Sequence, residues 1–138
     1  MDTDQKTILI MEDDESLMEA IDHQFTMEGF KVLTAKNVEE GLYKLENVGG
    51  VDVIWLDHYL LGKENGLDFV VKVKNNNEWR NVPIFVVSNS SGADSIQSYM
   101  RLGVNQYYTK ADYDLSQIIK DIRYALTEEG KKQGESAM

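Results

Sequence analysis

A chain of 138 residues is close to the commonest size of a single domain, so one domain with its own core is expected and a second does not fit. Zero cysteines exclude disulfides and thiolate metal sites, and a formal net charge of -10 excludes a broad nucleic-acid-binding face, which needs clustered Lys and Arg. Residues 1–7 carry no apolar signal core and no apolar run nears the roughly 18 residues of a membrane span, so the expectation is a soluble, cytoplasmic protein without a membrane partner.

Strand and helix patterns alternate along the whole length, which marks a parallel sheet with helical crossovers. Ile8, Leu9, Ile10 and Met11 form a short branched apolar run, read as a strand buried on both faces, and it runs into Glu12, Asp13 and Asp14. Leu17, Ala20, Ile21 and Phe25 recur at helical spacing, with Gly29 as a left-handed C-terminal cap. Residues 31–35 read as a second strand, and Asn37 with Glu40 as a capping box for a helix that buries Val38, Leu42 and Leu45. After the turn at Gly49 and Gly50, residues 51–56 form a third strand that delivers Asp57.

A loop through Gly62, Asn65 and Gly66 leads to a third helix containing Leu67, Val70 and Val71, ending at residues 75–77. Pro83 is tolerable at the start of a fourth strand, residues 84–87, which delivers Ser88 into a polar loop of Asn89, Ser90, Ser91 and Gly92. Ile96, Tyr99 and Met100 indicate a fourth helix capped by Gly103, and residues 106–109 a fifth strand ending at Lys110. Leu115, Ile118, Ile119, Ile122 and Leu126 form the stripe of a last amphipathic helix. Residues 1–128 are taken as the domain and 129–138 as a flexible tail.

Four of the five predicted strands thus end in charged or reactive groups: Glu12, Asp13 and Asp14; Asp57; Ser88; and Lys110. In open parallel sheets ligands sit at the carboxyl ends of the strands, so these groups should share one crevice. The pattern resembles the receiver domain of two-component response regulators over residues 7–127. The runs ILIMEDD at 8–14, VIWLD at 53–57, VVS at 86–88 and YYTK at 107–110 carry the resemblance. It implies an α/β, flavodoxin-like, doubly wound sheet of five parallel strands in order 2-1-3-4-5 with helices on both faces.

The chemistry can be reasoned beside the resemblance. Carboxylates forced together repel unless a cation neutralises them, and oxygen-only ligands with few protein donors suit Mg²⁺. Asp13 and Asp57 are the expected direct ligands, with Glu12, or Asp14 as the weaker choice, acting through bound water. The resemblance adds the backbone carbonyl of Tyr59. Asp57 would then attack phosphorus and become an aspartyl phosphate, with Lys110 neutralising phosphoryl oxygens and Ser88 donating a hydrogen bond. By resemblance Ser88 and Tyr107 form the switch, and the fourth helix, fifth strand and fifth helix form the readout face, which is also a candidate homodimer surface. The implied partners are a sensor histidine kinase or histidine phosphotransfer protein and a downstream protein, with output through docking or through the rest of a longer chain.

Taken singly, each residue has a plainer reading: Glu12 or Asp14 as a loop residue or helix cap, Ser88 as a turn hydroxyl, Lys110 as a solvated charge, Tyr107 as packed core. Their joint occurrence at neighbouring strand ends carries the argument. His58 is read as a surface or packing residue, and His23 has no evident task. The family's usual Pro after the lysine is replaced by Ala111, so a trans bond and a shifted loop are expected there, since a cis bond before a non-proline residue costs roughly 2.5 to 4 kcal/mol. Leu61 replaces another usual Pro. Tyr59 and Ser90 fall at positions that tune phosphoryl hydrolysis in that family, and Tyr59 is expected to crowd the attacking water.

Three rival functions fit the residues less well. An aspartate-nucleophile phosphatase should have a second Asp two residues after the first, where this chain has Tyr59. A flavin-binding module should offer hydroxyls and amides in the first loop, where this chain has three acids. A receiver-like scaffold working without phosphorylation is disfavoured by the joint presence of Asp13, Asp57, Ser88 and Lys110.

Overall fold

The structure is a computed structural model that describes residues 5–89 and 92–131. Among the described residues ten elements alternate: β1 (Thr7–Met11), α1 (Glu15–Met27), β2 (Lys31–Ala35), α2 (Val38–Asn47), β3 (Val53–Leu56), α3 (Gly66–Lys74), β4 (Ile84–Ser88), α4 (Ala93–Arg101), β5 (Gln106–Thr109) and α5 (Leu115–Ala125). The five strands are all parallel in the order β2-β1-β3-β4-β5, as the resemblance implied.

The strands' two-residue period divides the core into two halves. Ile8 and Ile10, Val53 and Trp55, and Phe85 and Val87 belong to one cluster with α1 and α5, including Ile21, Phe25, Ile118, Ile119 and Ile122. Leu9 and Met11, Ile54 and Leu56, and Ile84 and Val86 belong to the other with α2, α3 and α4, including Leu45, Phe69, Val70, Val73 and Tyr99. Every residue of β3 and β4 is buried, which explains why these strands read as unbroken apolar runs rather than alternating ones.

Several boundaries differ from the sequence reading for local reasons. β3 begins at Val53 rather than at residue 51, because Asp52 holds Thr7 with both its N–H (2.9 Å to the Thr7 carbonyl) and its carboxylate (2.8 Å from the Thr7 N–H). β4 runs on to include Ser88. In α3 the buried side chains are Phe69, Val70 and Val73, while Val71 is exposed. Asn37 caps α2 through the Glu40 N–H, but the Glu40 carboxylate accepts from the Lys36 N–H and the Asn37 side-chain amide rather than from the Asn37 N–H. The reciprocal capping box lies at Asn65 and Asp68 instead.

Gly29 and Gly103 have φ of +93° and +89°, the left-handed geometry that ends α1 and α4. No cis peptide occurs among the described residues, so the bond before Ala111 is trans as expected. Residues 128–131 form a helical turn, and the remainder of the expected tail, 132–138, lies outside the described residues, as do Ser90 and Ser91. No helix among the described residues is long and apolar enough to cross a membrane.

Candidate functional site

Each strand tip is held by its neighbour, and this places the chemistry. The Glu12 N–H donates to the Ala35 carbonyl (3.0 Å), the Asp57 N–H to the Met11 carbonyl (3.0 Å), and the Lys110 N–H to the Ser88 carbonyl (2.9 Å). The last ladder bonds of the sheet therefore set the backbone from which the site's side chains project. Carboxylate oxygens of Glu12, Asp13 and Asp57 all lie within 4.8 Å of one another. The Lys110 Nζ stands 3.2 Å from Glu12 Oε1 and 3.2 Å from Asp57 Oδ2.

Three carboxylates thus face one ammonium. Glu12 is 1 % exposed and Asp57 4 %, so water screens them poorly. Burial pushes the Glu12 carboxyl up to about 7; the Asp57 charge and a hydrogen bond shared with it push the same way, while the Asp14 N–H (3.1 Å) and Lys110 oppose. Burial on its own would lower the Lys110 ammonium, but Asp57 and Glu12 together outweigh it and hold its pKa above the ordinary lysine value. A divalent cation would bring this nest to neutrality. Its oxygen-only donor set fits Mg²⁺, which takes few protein ligands and keeps waters.

The structure separates the two candidates for water-mediated contact. Glu12 lies in the acid cluster; Asp14 is exposed and accepts from the Leu17 N–H at 3.0 Å as the N-cap of α1. Tyr59 keeps its ring in solvent and donates its N–H to Asp57 Oδ1 at 3.2 Å. Ser88 is fully buried at the end of β4, and Tyr107 is half-buried with its ring centroid 5.7 Å from that of Tyr99. His58, read as a packing residue, brings Nδ1 to 2.6 Å from the Tyr99 hydroxyl. That contact was not foreseen; the only sequence signal for it was a tyrosine on the apolar side of α4, which needs a polar partner for its hydroxyl.

The raised Glu12 pKa has a stability consequence. The folded protein keeps a proton on Glu12 that the unfolded chain releases above about 4.5, so this contribution is complete below that pH and is lost as pH rises through about 7. Without divalent cations, stability at about pH 5 should exceed that at about pH 8, with up to about 3 kcal/mol from this group. Thermal melts of the wild type and of Glu12→Gln check this: the variant should lose the difference, and an unchanged pH slope would refute the assignment.

Comparison with known proteins extends these observations. The sequence model of the response regulator receiver domain matches residues 8–123. The transcriptional regulatory protein YcbL of Bacillus subtilis is 33% identical over 102 residues, which cover 74% of this chain and 43% of that protein. The transcriptional regulatory protein KdpE of Staphylococcus aureus is 31% identical over 106 residues, 77% of this chain and 44% of that protein. The chain therefore spans less than half the length of these relatives. Among solved structures, the phosphorylated cyanobacterial phytochrome response regulator RcpA superposes with a TM-score of 0.77 at 26% identity, covering 91% of this chain and 96% of that one.

Proposed function

The chain belongs to the response regulator receiver domain family, a signalling domain of two-component systems, and on that premise we propose that Asp57 accepts a phosphoryl group from a histidine kinase or a histidine phosphotransfer protein. The observation that carries this is the contact of Lys110 Nζ with both Glu12 and Asp57 at 3.2 Å, inside a nest that also includes Asp13.

An Asp57 oxygen attacks phosphorus in line with the bond to the donor imidazole. The new O–P bond forms as the P–N bond breaks, and the imidazole leaves with the electron pair and takes up a proton. Lys110 is placed to neutralise charge on the transferring oxygens, and its fixed position removes the cost of reorganising solvent at the moment of reaction. Mg²⁺, when bound by Asp13, Asp57 and the Tyr59 carbonyl and through water by Glu12, would supply further neutralisation of the phosphoryl oxygens. Asp14 is left to cap α1. Ser88 then turns toward the phosphoryl group, and Tyr107 moves into the space it leaves, altering the face of α4, β5 and α5 that a downstream protein reads. A homodimer through that face has no support of its own among the comparisons.

Incubation with acetyl phosphate and Mg²⁺, followed by intact-mass measurement, tests the proposal. The wild type should gain the mass of one phosphoryl group only with Mg²⁺ present, and Asp57→Asn should gain none. Equal incorporation in Asp57→Asn, or none in the wild type, would leave the protein an interaction scaffold.

A further inference from the structure

We propose that His58 and Tyr99 form a second link from the acceptor loop to α4, beside Ser88 and Tyr107, and that His58 is a positioning residue for the output face. The inference rests on the reading of Asp57 as phosphoacceptor. Tyr99 has 0 % exposure, and among the described side chains of α4 no other is buried. A tyrosine hydroxyl so deep in the protein needs a polar partner. His58 supplies one at 2.6 Å, across 41 residues of sequence.

Gly66, the first residue of α3, makes room for this meeting. A Cβ there would collide with the Tyr99 hydroxyl and stand 3.0 Å from the Asp57 carbonyl oxygen and 3.1 Å from the His58 Cα. The bare backbone instead comes close enough for the Gly66 N–H to donate to the His58 carbonyl at 2.9 Å. Three elements thus converge on His58: its main chain is tied to α3, its side chain to α4, and it follows the acceptor directly.

His58 is also enclosed by Asp57 on both sides. The Asp57 backbone precedes it, and the Asp57 carboxylate accepts from the N–H of Tyr59, which follows it. A phosphoryl group on that carboxylate would draw charge from the oxygen that the Tyr59 N–H holds, and the peptide units of His58 would turn with it. Tyr99 follows through the hydrogen bond, and its ring, 5.7 Å from that of Tyr107, carries the shift to β5. The edge contact between the His58 and Tyr59 rings, with centroids 4.9 Å apart, couples those two residues directly.

The test uses the full chain with acetyl phosphate and Mg²⁺, reading intact mass and the amide NMR shifts of residues 95–101 together. Tyr99→Phe removes only the hydroxyl, His58→Ala the imidazole, and His58→Asn keeps a hydrogen-bonding atom close to the place of Nδ1. Tyr99→Phe and His58→Ala should take up the phosphoryl group as the wild type does, while its effect on the α4 amides falls by about half or more. His58→Asn should restore the response, and the double variant Tyr99→Phe with His58→Ala should lose no more than either single one. A full α4 response in phosphorylated Tyr99→Phe, or additive losses in the double variant, would overturn the link alone. No mass gain in the wild type would overturn the acceptor reading and the link with it.

Discussion

Lys110→Met should slow phosphoryl uptake from acetyl phosphate by about 10²–10³-fold, the usual effect of deleting one charge stabiliser from a closed site. The ammonium is the only cation in contact with Glu12 and Asp57 among the described residues, at 3.2 Å from each. Methionine keeps most of the length and apolar stem, so the change isolates the charge. The deletion also leaves two buried carboxylates facing each other, which on its own is destabilising. Glu12, whose pKa burial already raises to about 7, relieves this by taking a proton. The rate therefore suffers more than the fold. Initial rates from intact mass at saturating Mg²⁺ check the prediction, and a loss of less than about threefold would remove Lys110 from the reaction.

Phe69→Ala should cost about 3–5 kcal/mol, a large fraction of the 5–15 kcal/mol that stabilises an ordinary domain. Phe69 has 0 % exposure and its ring edge fills the space that Gly41 leaves on α2: a Cβ at Gly41 would lie 2.9 Å from the Phe69 Cε1 and 2.5 Å from the Met11 Sδ. One ring therefore interlocks α3, α2 and the last residue of β1, next to Glu12. Urea unfolding should show the midpoint fall with the slope unchanged, and a loss below about 1 kcal/mol would contradict this packing.

The strands were legible because a doubly covered parallel sheet demands apolar residues on both faces, as at 53–56 and 84–87. The acids were legible because strand ends are where such a sheet leaves polar groups without a core to enter. Strand order came only through resemblance, since nothing in local sequence says which strands are neighbours. The face that α3 buries was not legible, because Val70 and Val71 are adjacent and either valine can begin an apolar stripe at helical spacing; in the fold Phe69, Val70 and Val73 are buried and Val71 is exposed. Asp14 fitted two descriptions, helix cap and weaker ligand candidate, and its exposed place at the start of α1 favours the first. The meeting of His58 with Tyr99 depends on a glycine in one helix and a tyrosine in another, and no spacing rule announces such a contact.

The two helices that border β5 are anchored very differently. α5 rests on Ile118, Ile119 and Ile122, is pinned through Asp121 to the Tyr108 hydroxyl at 2.6 Å, and is tied by Arg123 to Glu28 and the ring of Phe30 at the far corner of the molecule. Among its described side chains α4 buries Tyr99 alone, and it starts at a glycine with no side-chain cap. A protein straddling this surface would grip a stationary rail on one side and a movable one on the other. If the proposed readout face is the one a partner grips, changes in how tightly it holds on would be governed from the α4 side, and a binder that touches α5 alone should ignore the domain's chemical state.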